Sequence, residues 1–128
     1  MDLQTLRDYR NLLIEISTLE ETLADTKASY RAFPIKAVAD AVAYVQHLID
    51  LRTAEAEAVV KAIDSLQDYE DPRLHIILRM RFIDGMSAQR IGDRMSYSKE
   101  QISILQRKAV EILKRNGDQT DEHRTESN

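Results

Sequence analysis

Only five positions in this chain of 128 residues carry glycine or proline: Pro34, Pro72, Gly85, Gly92 and Gly117. An average chain carries roughly 12% of the two together. Turn-rich β-sandwiches and barrels need far more, and so do the Gly-rich loops that cradle phosphates in nucleotide-binding folds. What remains is an all-α chain, with the breakers marking where helices stop. The absence of cysteine removes disulfide frameworks, zinc fingers, thiol nucleophiles and iron–sulfur sites together. The N-terminus is charged from Asp2, and no stretch approaches the ~18 apolar residues of a membrane span. A soluble, cytoplasmic protein without a membrane partner is expected.

Between the breakers the apolar residues keep helical time. Tyr9, Leu12, Ile16, Leu19, Leu23, Tyr30 and Phe33 alternate spacings of three and four, with Thr26 in the one polar slot. Val38, Val42, Val45, Ile49, Ala56, Val59, Ile63 and Leu66 repeat the pattern, with Arg52 the one charged residue in register. These are heptad seams. Each segment of about 30 residues would run ~45 Å as a helix, too long to bury its own stripe. The short link Phe33-Pro34-Ile35 favours a long antiparallel hairpin, a coiled coil over residues 1–70, although proline can also kink one continuous helix. The hairpin is expected to oligomerise the chain, most simply as a homodimer. Arg52 reads either as a rim residue that snorkels or as a register element paired with an acid on the facing helix.

Residues 71–116 read as three shorter helices. Asp71-Pro72 starts the first, with Leu74, Ile77, Leu78, Phe82 and Ile83 inward, and Asp84-Gly85 ends it. Ser87 caps a second helix through Met95. Ser98 and Gln101 have the spacing of a capping box, which opens a third helix carrying Ile102, Leu105, Ala109, Ile112 and Leu113 inward. Asn116-Gly117 is a stop signal, and residues 117–128 without an apolar side chain are expected to be a disordered tail. A short helix, a tight turn and a longer helix make the helix-turn-helix shape. Charge agrees with that division. Residues 1–71 hold seven Lys/Arg against fourteen Asp/Glu, residues 72–117 hold ten against four, and residues 118–128 hold one against four. A basic block between acidic flanks is the footprint of a module that meets a polyanion.

Particular residues sharpen the reading. Ile77-Leu78-Arg79-Met80-Arg81-Phe82, then Asp84-Gly85-Met86-Ser87, then Ile91-Gly92-Asp93-Arg94-Met95, together resemble the promoter-recognition helix-turn-helix (region 4) of sigma-70 family factors. Tyr97-Ser98-Lys99-Glu100-Gln101-Ile102 and Lys108-Ala109-Val110 continue the likeness through the recognition helix. With two long helices in front, the whole chain is similar to small phage and prophage regulators of Gram-positive bacteria, in the neighbourhood of the RinA-like activators. The resemblance implies a DNA-binding transcriptional regulator in the cytoplasm of a bacterial host cell, with double-stranded DNA as partner and RNA polymerase as a further one. No cofactor and no enzymatic activity are implied.

In the family, the start of the recognition helix reads bases. The resemblance assigns that role to Lys99, Glu100, Gln101, Ser103 and Ile104, and phosphate contacts to Arg90, Arg94, Arg107 and Lys108. Lys99 donates to a phosphate or guanine, Glu100 accepts from cytosine N4, and Gln101 is suited to bidentate pairing with adenine. Gln101 and Ser103 replace family arginines and Ile104 replaces a polar reader, so the face has lost two cations and, with them, counterion-release affinity. Ile104 fits a thymine methyl or a protein partner. Ser96 stands where relatives often have glycine, which implies a strained backbone or another turn type. Lys114 and Arg115 suit either DNA or the negative end of a helix dipole. Arg79 and Arg81 read as supporting residues. His47, His75 and His123 have no metal-ligand spacing, no GxSxG elbow occurs, and the acids before residue 72 form no catalytic carboxylate pair. No metal site or catalytic residue is expected. The competing reading is a protein-interaction module that binds polymerase or another regulator, with DNA binding weak or lost.

Overall fold

A computed structural model describes residues 1–127, with side chains as far as Gly117. The described residues form α1 (Leu3–Ala32), α2 (Lys36–Asp64), a 3-10 turn (Ser65–Asp68), α3 (Pro72–Leu78) running on into a π-helical turn (Arg79–Ile83), α4 (Ala88–Met95) and α5 (Lys99–Ser127). The fold is all-α, with long N-terminal helices ahead of a helix-turn-helix. Two compact units divide it: Asn11–Ala58, and Met1–Arg10 together with the chain from Val59 onward.

In the first unit, proline breaks the helix and does not merely kink it. The Phe33 amide closes α1 on the Ser29 carbonyl (2.8 Å), and Pro34 has no N–H to continue the ladder. Ile35 then turns back to Phe33 O (2.8 Å), and its own carbonyl receives Val38 and Ala39 N–H as the first acceptor of α2. Glu15 and Arg52, nearly equidistant from this link, join across the hairpin at 2.9 Å, with Glu55 taking the other side of the guanidinium. That pairing fixes an antiparallel register: Leu12 at the level of Ala56, Leu19 of Ile49, Leu23 of Val45 and Thr26 of Val42. Arg52 thus acts as a register element, and the two acids raise its pKa, the Glu15 hydrogen bond most of all. Thr26 fills its polar slot without an orphaned hydroxyl, since Oγ1 donates to Thr22 O at 2.7 Å. The seam is only partly covered. Leu12, Ile16, Leu19, Leu23, Val42 and Val45 are half-buried, while Tyr30 and Phe33 are 41% and 68% exposed. Two helices leave one side of such a stripe open.

The second unit has a closed core. Leu6, Val59, Ile63, Leu66, Leu74, Ile77 and Leu78 are all at most 2% exposed. Burying such a side chain stabilises by about 1.5–3 kcal/mol. Outside the core, Asp64 receives Arg79 Nη1 (2.9 Å) and pairs with His75 Nε2 (2.8 Å), tying the end of α2 to α3. Arg10 Nη1 donates to Ile83 O at 2.8 Å, which anchors the first turns of α1 on the end of the π turn. The stop expected at Asn116-Gly117 does not occur. Gly117 keeps a negative φ, without the left-handed geometry that a glycine C-cap uses, and α5 runs through it. Helix α5 continues to Ser127 over the stretch expected to be a disordered tail (117–128), of which the side chains beyond Gly117, and all of Asn128, lie outside the described residues.

Candidate nucleic-acid interface

The module is built from caps inward. Asp71 has an extended backbone (φ −102°, ψ 96°), its Oδ1 accepts from the Arg73 amide at 3.1 Å, and Pro72 supplies the first helical φ of α3. The same carboxylate holds the Arg73 side chain in a fork, Nε to Oδ1 at 2.8 Å and Nη2 to Oδ2 at 2.7 Å. Arg73 keeps Asp71 below the ordinary carboxylate value of 3.8. It also lies 5.8 Å from the centre of the Tyr97 ring and donates to the Tyr97 hydroxyl (3.3 Å). The start of α3 is thereby linked to the turn just before α5. Sequence reasoning did not assign this role to Arg73 or Tyr97, and the only available signal was the Asp-Pro-Arg order.

Helix α3 widens at its exit into a π turn, in which the Asp84 amide reaches Arg79 O, five residues back, at 3.0 Å. Gly85 then takes φ +73°, a conformation that costs other residues a steric penalty. Arg81 Nη1 donates to Met86 O (2.9 Å), so Arg79 and Arg81 both support the scaffold. Ser87 caps α4 through the Arg90 amide at 3.2 Å. Gly92 is buried at the crossing with the turn, where an added Cβ would stand 2.5 Å from the Tyr97 carbonyl oxygen. The close approach permits Tyr97 N–H to bond Gly92 O at 2.8 Å. Between them Ser96 is left-handed (φ 62°, ψ 40°), the one described residue other than glycine with positive φ. Of the two readings open for this position, the structure selects strain.

The capping box is complete. Ser98 N–H donates to Gln101 Oε1 at 2.8 Å, and Gln101 N–H donates to Ser98 Oγ at 3.1 Å. Ile77, Met86, Ile91 and Ile102 then join in one buried cluster that locks α4 against α5. At 100° per residue, Glu100, Ser103, Ile104 and Arg107 share the outward face of α5, with Lys99 and Lys108 on its two edges. All are exposed except Ser103, which is half-buried, and Ile104 is 60% exposed. Arg90 and Arg94 are exposed on α4, where they border a hollow with Met86 and Asp93. Gln101 stands apart from the other candidates. Its carbonyl is engaged in the box, and bidentate pairing with adenine requires the box to open. A shallow cleft lined by Arg73, Tyr97, Gln101, Ile104 and Leu105 lies beside the start of α5.

Residues 71–115 match the family model of Sigma-70, region 4, and this segment is a sigma-70 region 4-like helix-turn-helix. No curated protein matches the chain, and no solved structure does. No described helix is long and apolar enough to cross a membrane.

Proposed function

We propose that the chain is a sequence-specific DNA-binding regulator of transcription, of the phage and prophage kind, with α5 as the recognition helix in the major groove. The observation that carries this reading is an α-helix whose first turn is held by reciprocal caps. It presents Lys99, Glu100, Ile104 and Arg107 outward on a unit that matches sigma-70 region 4. A groove about 12 Å wide accepts one such helix. Lys99 donates to a phosphate or a guanine edge and Glu100 reads a base edge near the helix start, while Arg107, Lys108, Arg90 and Arg94 position the backbone. Residues 1–70 serve as an oligomerisation arm, which pairs two reading heads and predicts two half-sites in the DNA.

Selection of bound duplexes from a random pool tests the reading. One enriched motif is expected, with affinity falling steeply between low and moderate salt. Lys99→Ala and Arg107→Ala should each reduce the salt slope by about one. A pool that emerges without enrichment, and duplex binding indifferent to salt, would refute it.

One observation favours the polymerase-binding alternative. Ile104 stands 60% exposed on the outward face, one turn after Glu100 and one turn before Lys108. An apolar anchor rimmed by charge suits a protein partner. If that contact dominates, Ile104→Glu abolishes polymerase capture and leaves DNA affinity within a few fold.

A further inference from the structure

The hairpin unit carries a division of charge that its own fold does not use. From Asn11 to Thr26 the chain has the acids Glu15, Glu20, Glu21 and Asp25 and no base, whereas from Thr26 to Ala39 it has Lys27, Arg31 and Lys36 and no acid. Among the described residues only Glu15 of these seven has an ion-pair partner. The open side of the seam lies beside them.

Heptad positions locate that open side. With Ile16, Leu23 and Tyr30 at a and Leu12, Leu19, Thr26 and Phe33 at d, Glu15 falls at g, and its bond to Arg52 puts α2 on the g edge of α1. The e edge is therefore the unpartnered one. Within α1 it carries Leu13, Glu20 and Lys27, all exposed, with Leu13 at 41%. Read in reverse order, its charged pair is its own complement: acid against base, base against acid.

We propose that the e edge of α1 is the docking surface for a second copy of this chain, and that the two α1 helices run antiparallel about an axis near Leu23 to Thr26. Glu20 then faces Lys27 of the second copy, and Lys27 faces its Glu20. Leu23 meets Thr26, Leu19 meets Tyr30 and Ile16 meets Phe33, so the exposed aromatic residues near the link become the cover for the half-buried seam. The overlap runs from Ile16 to Phe33, roughly 25 Å at 1.5 Å per residue. Charge excludes the nearest alternatives. Slipping one heptad sets Lys27 against Lys27, and a parallel pair sets Glu15 at g against Glu20 at e. The arrangement rests on the reading of residues 1–70 as an oligomerisation arm, and gives that arm its partner, face and direction.

Sedimentation of the full chain, together with single-cysteine cross-linking, tests both levels. The chain has no cysteine of its own. A mixture of Glu20→Cys and Lys27→Cys chains should join 20 to 27 with a short bismaleimide. Glu20→Cys alone should link far less, because its two copies would be offset about 10 Å along the axis. Lys27→Glu should weaken the dimer about tenfold, since each exposed pair contributes up to ~1 kcal/mol and two are reversed. Adding Glu20→Lys should restore it, with helical content unchanged throughout. A monomer at every concentration would overturn the arrangement and the oligomerisation arm together. A dimer in which Glu20→Cys links to itself as well as to Lys27→Cys, or in which the charge swap fails to rescue, would overturn the antiparallel arrangement and leave the arm standing.

Discussion

Replacing Ser96 by glycine should stabilise the protein, and the size of the gain follows from its backbone. A left-handed L-residue costs about 1–2 kcal/mol, and Ser96 adopts that conformation at φ 62°. Its hydroxyl is exposed and bonds no described group, so removing it forfeits nothing in the folded state. Against the relief stands the extra freedom that glycine gives the unfolded chain, roughly 0.5–1 kcal/mol. The net expectation is a gain of about 0.5–1 kcal/mol. Ser96→Asn, which tolerates the left-handed region, should fall between serine and glycine, and Ser96→Val, β-branched, should cost more than 1 kcal/mol. Urea unfolding followed by far-ultraviolet circular dichroism orders the series, with m-values unchanged. Exchange of the Tyr97 amide, bonded to Gly92 O, reports the same turn locally and should slow in the glycine variant. Equal stability for glycine, serine and valine would refute the strain argument.

Gly92→Ala should do the opposite of what helix propensity suggests. Alanine gains about 1 kcal/mol in an ordinary helix, but its Cβ would meet the rigid Tyr97 carbonyl, so a net loss of about 1–3 kcal/mol and a lower Tm are expected. Gln101→Ala should cost about 1 kcal/mol by opening the box, whereas Gln101→Glu should keep the box and stability while weakening duplex binding through its added charge. Calorimetry beside a binding titration separates the two. Acid should unfold the helix-turn-helix unit as Asp64 and Asp71 protonate. His75, then Arg79, hold Asp64 below 3.8, and Arg73 does the same for Asp71. Carboxylates lowered by folding contribute stability above their unfolded value, which is lost as pH falls through the folded one. The transition is therefore expected below about pH 4, and Asp64→Asn should make it shallower; an unaltered acid profile in that variant would contradict the assignment.

The long elements were legible because their signals are local. Spacings of three and four picked out both seams, and the positions from Tyr9 to Thr26 and from Val38 to Leu66 are all buried or half-buried. Ser87, the Ser98 and Gln101 pair and Gly85 gave away their caps and turn by residue type. The π turn at Arg79–Ile83 left no such mark, since one residue added to a turn changes no composition. Leu6, 1% exposed, sits three residues before the first seam position and belongs to the core of the other unit. Gln101 shows a different limit. Its spacing to Ser98 and its base-pairing chemistry are each legible, but only the folded turn reveals that both draw on one carbonyl oxygen.

The Glu15 to Arg52 bond also limits how this chain can vary in length. Because it spans the hairpin at nearly equal distances from Pro34, a residue inserted between Glu15 and the link must be matched by one between the link and Arg52. Otherwise the pair separates and every apolar layer beyond it slips. Only insertions in both arms at once, seven residues at a time, preserve the bond, the stripe and the face together. Related chains should therefore differ in hairpin length by whole heptads in each arm, so that a length comparison alone carries a test of the fold.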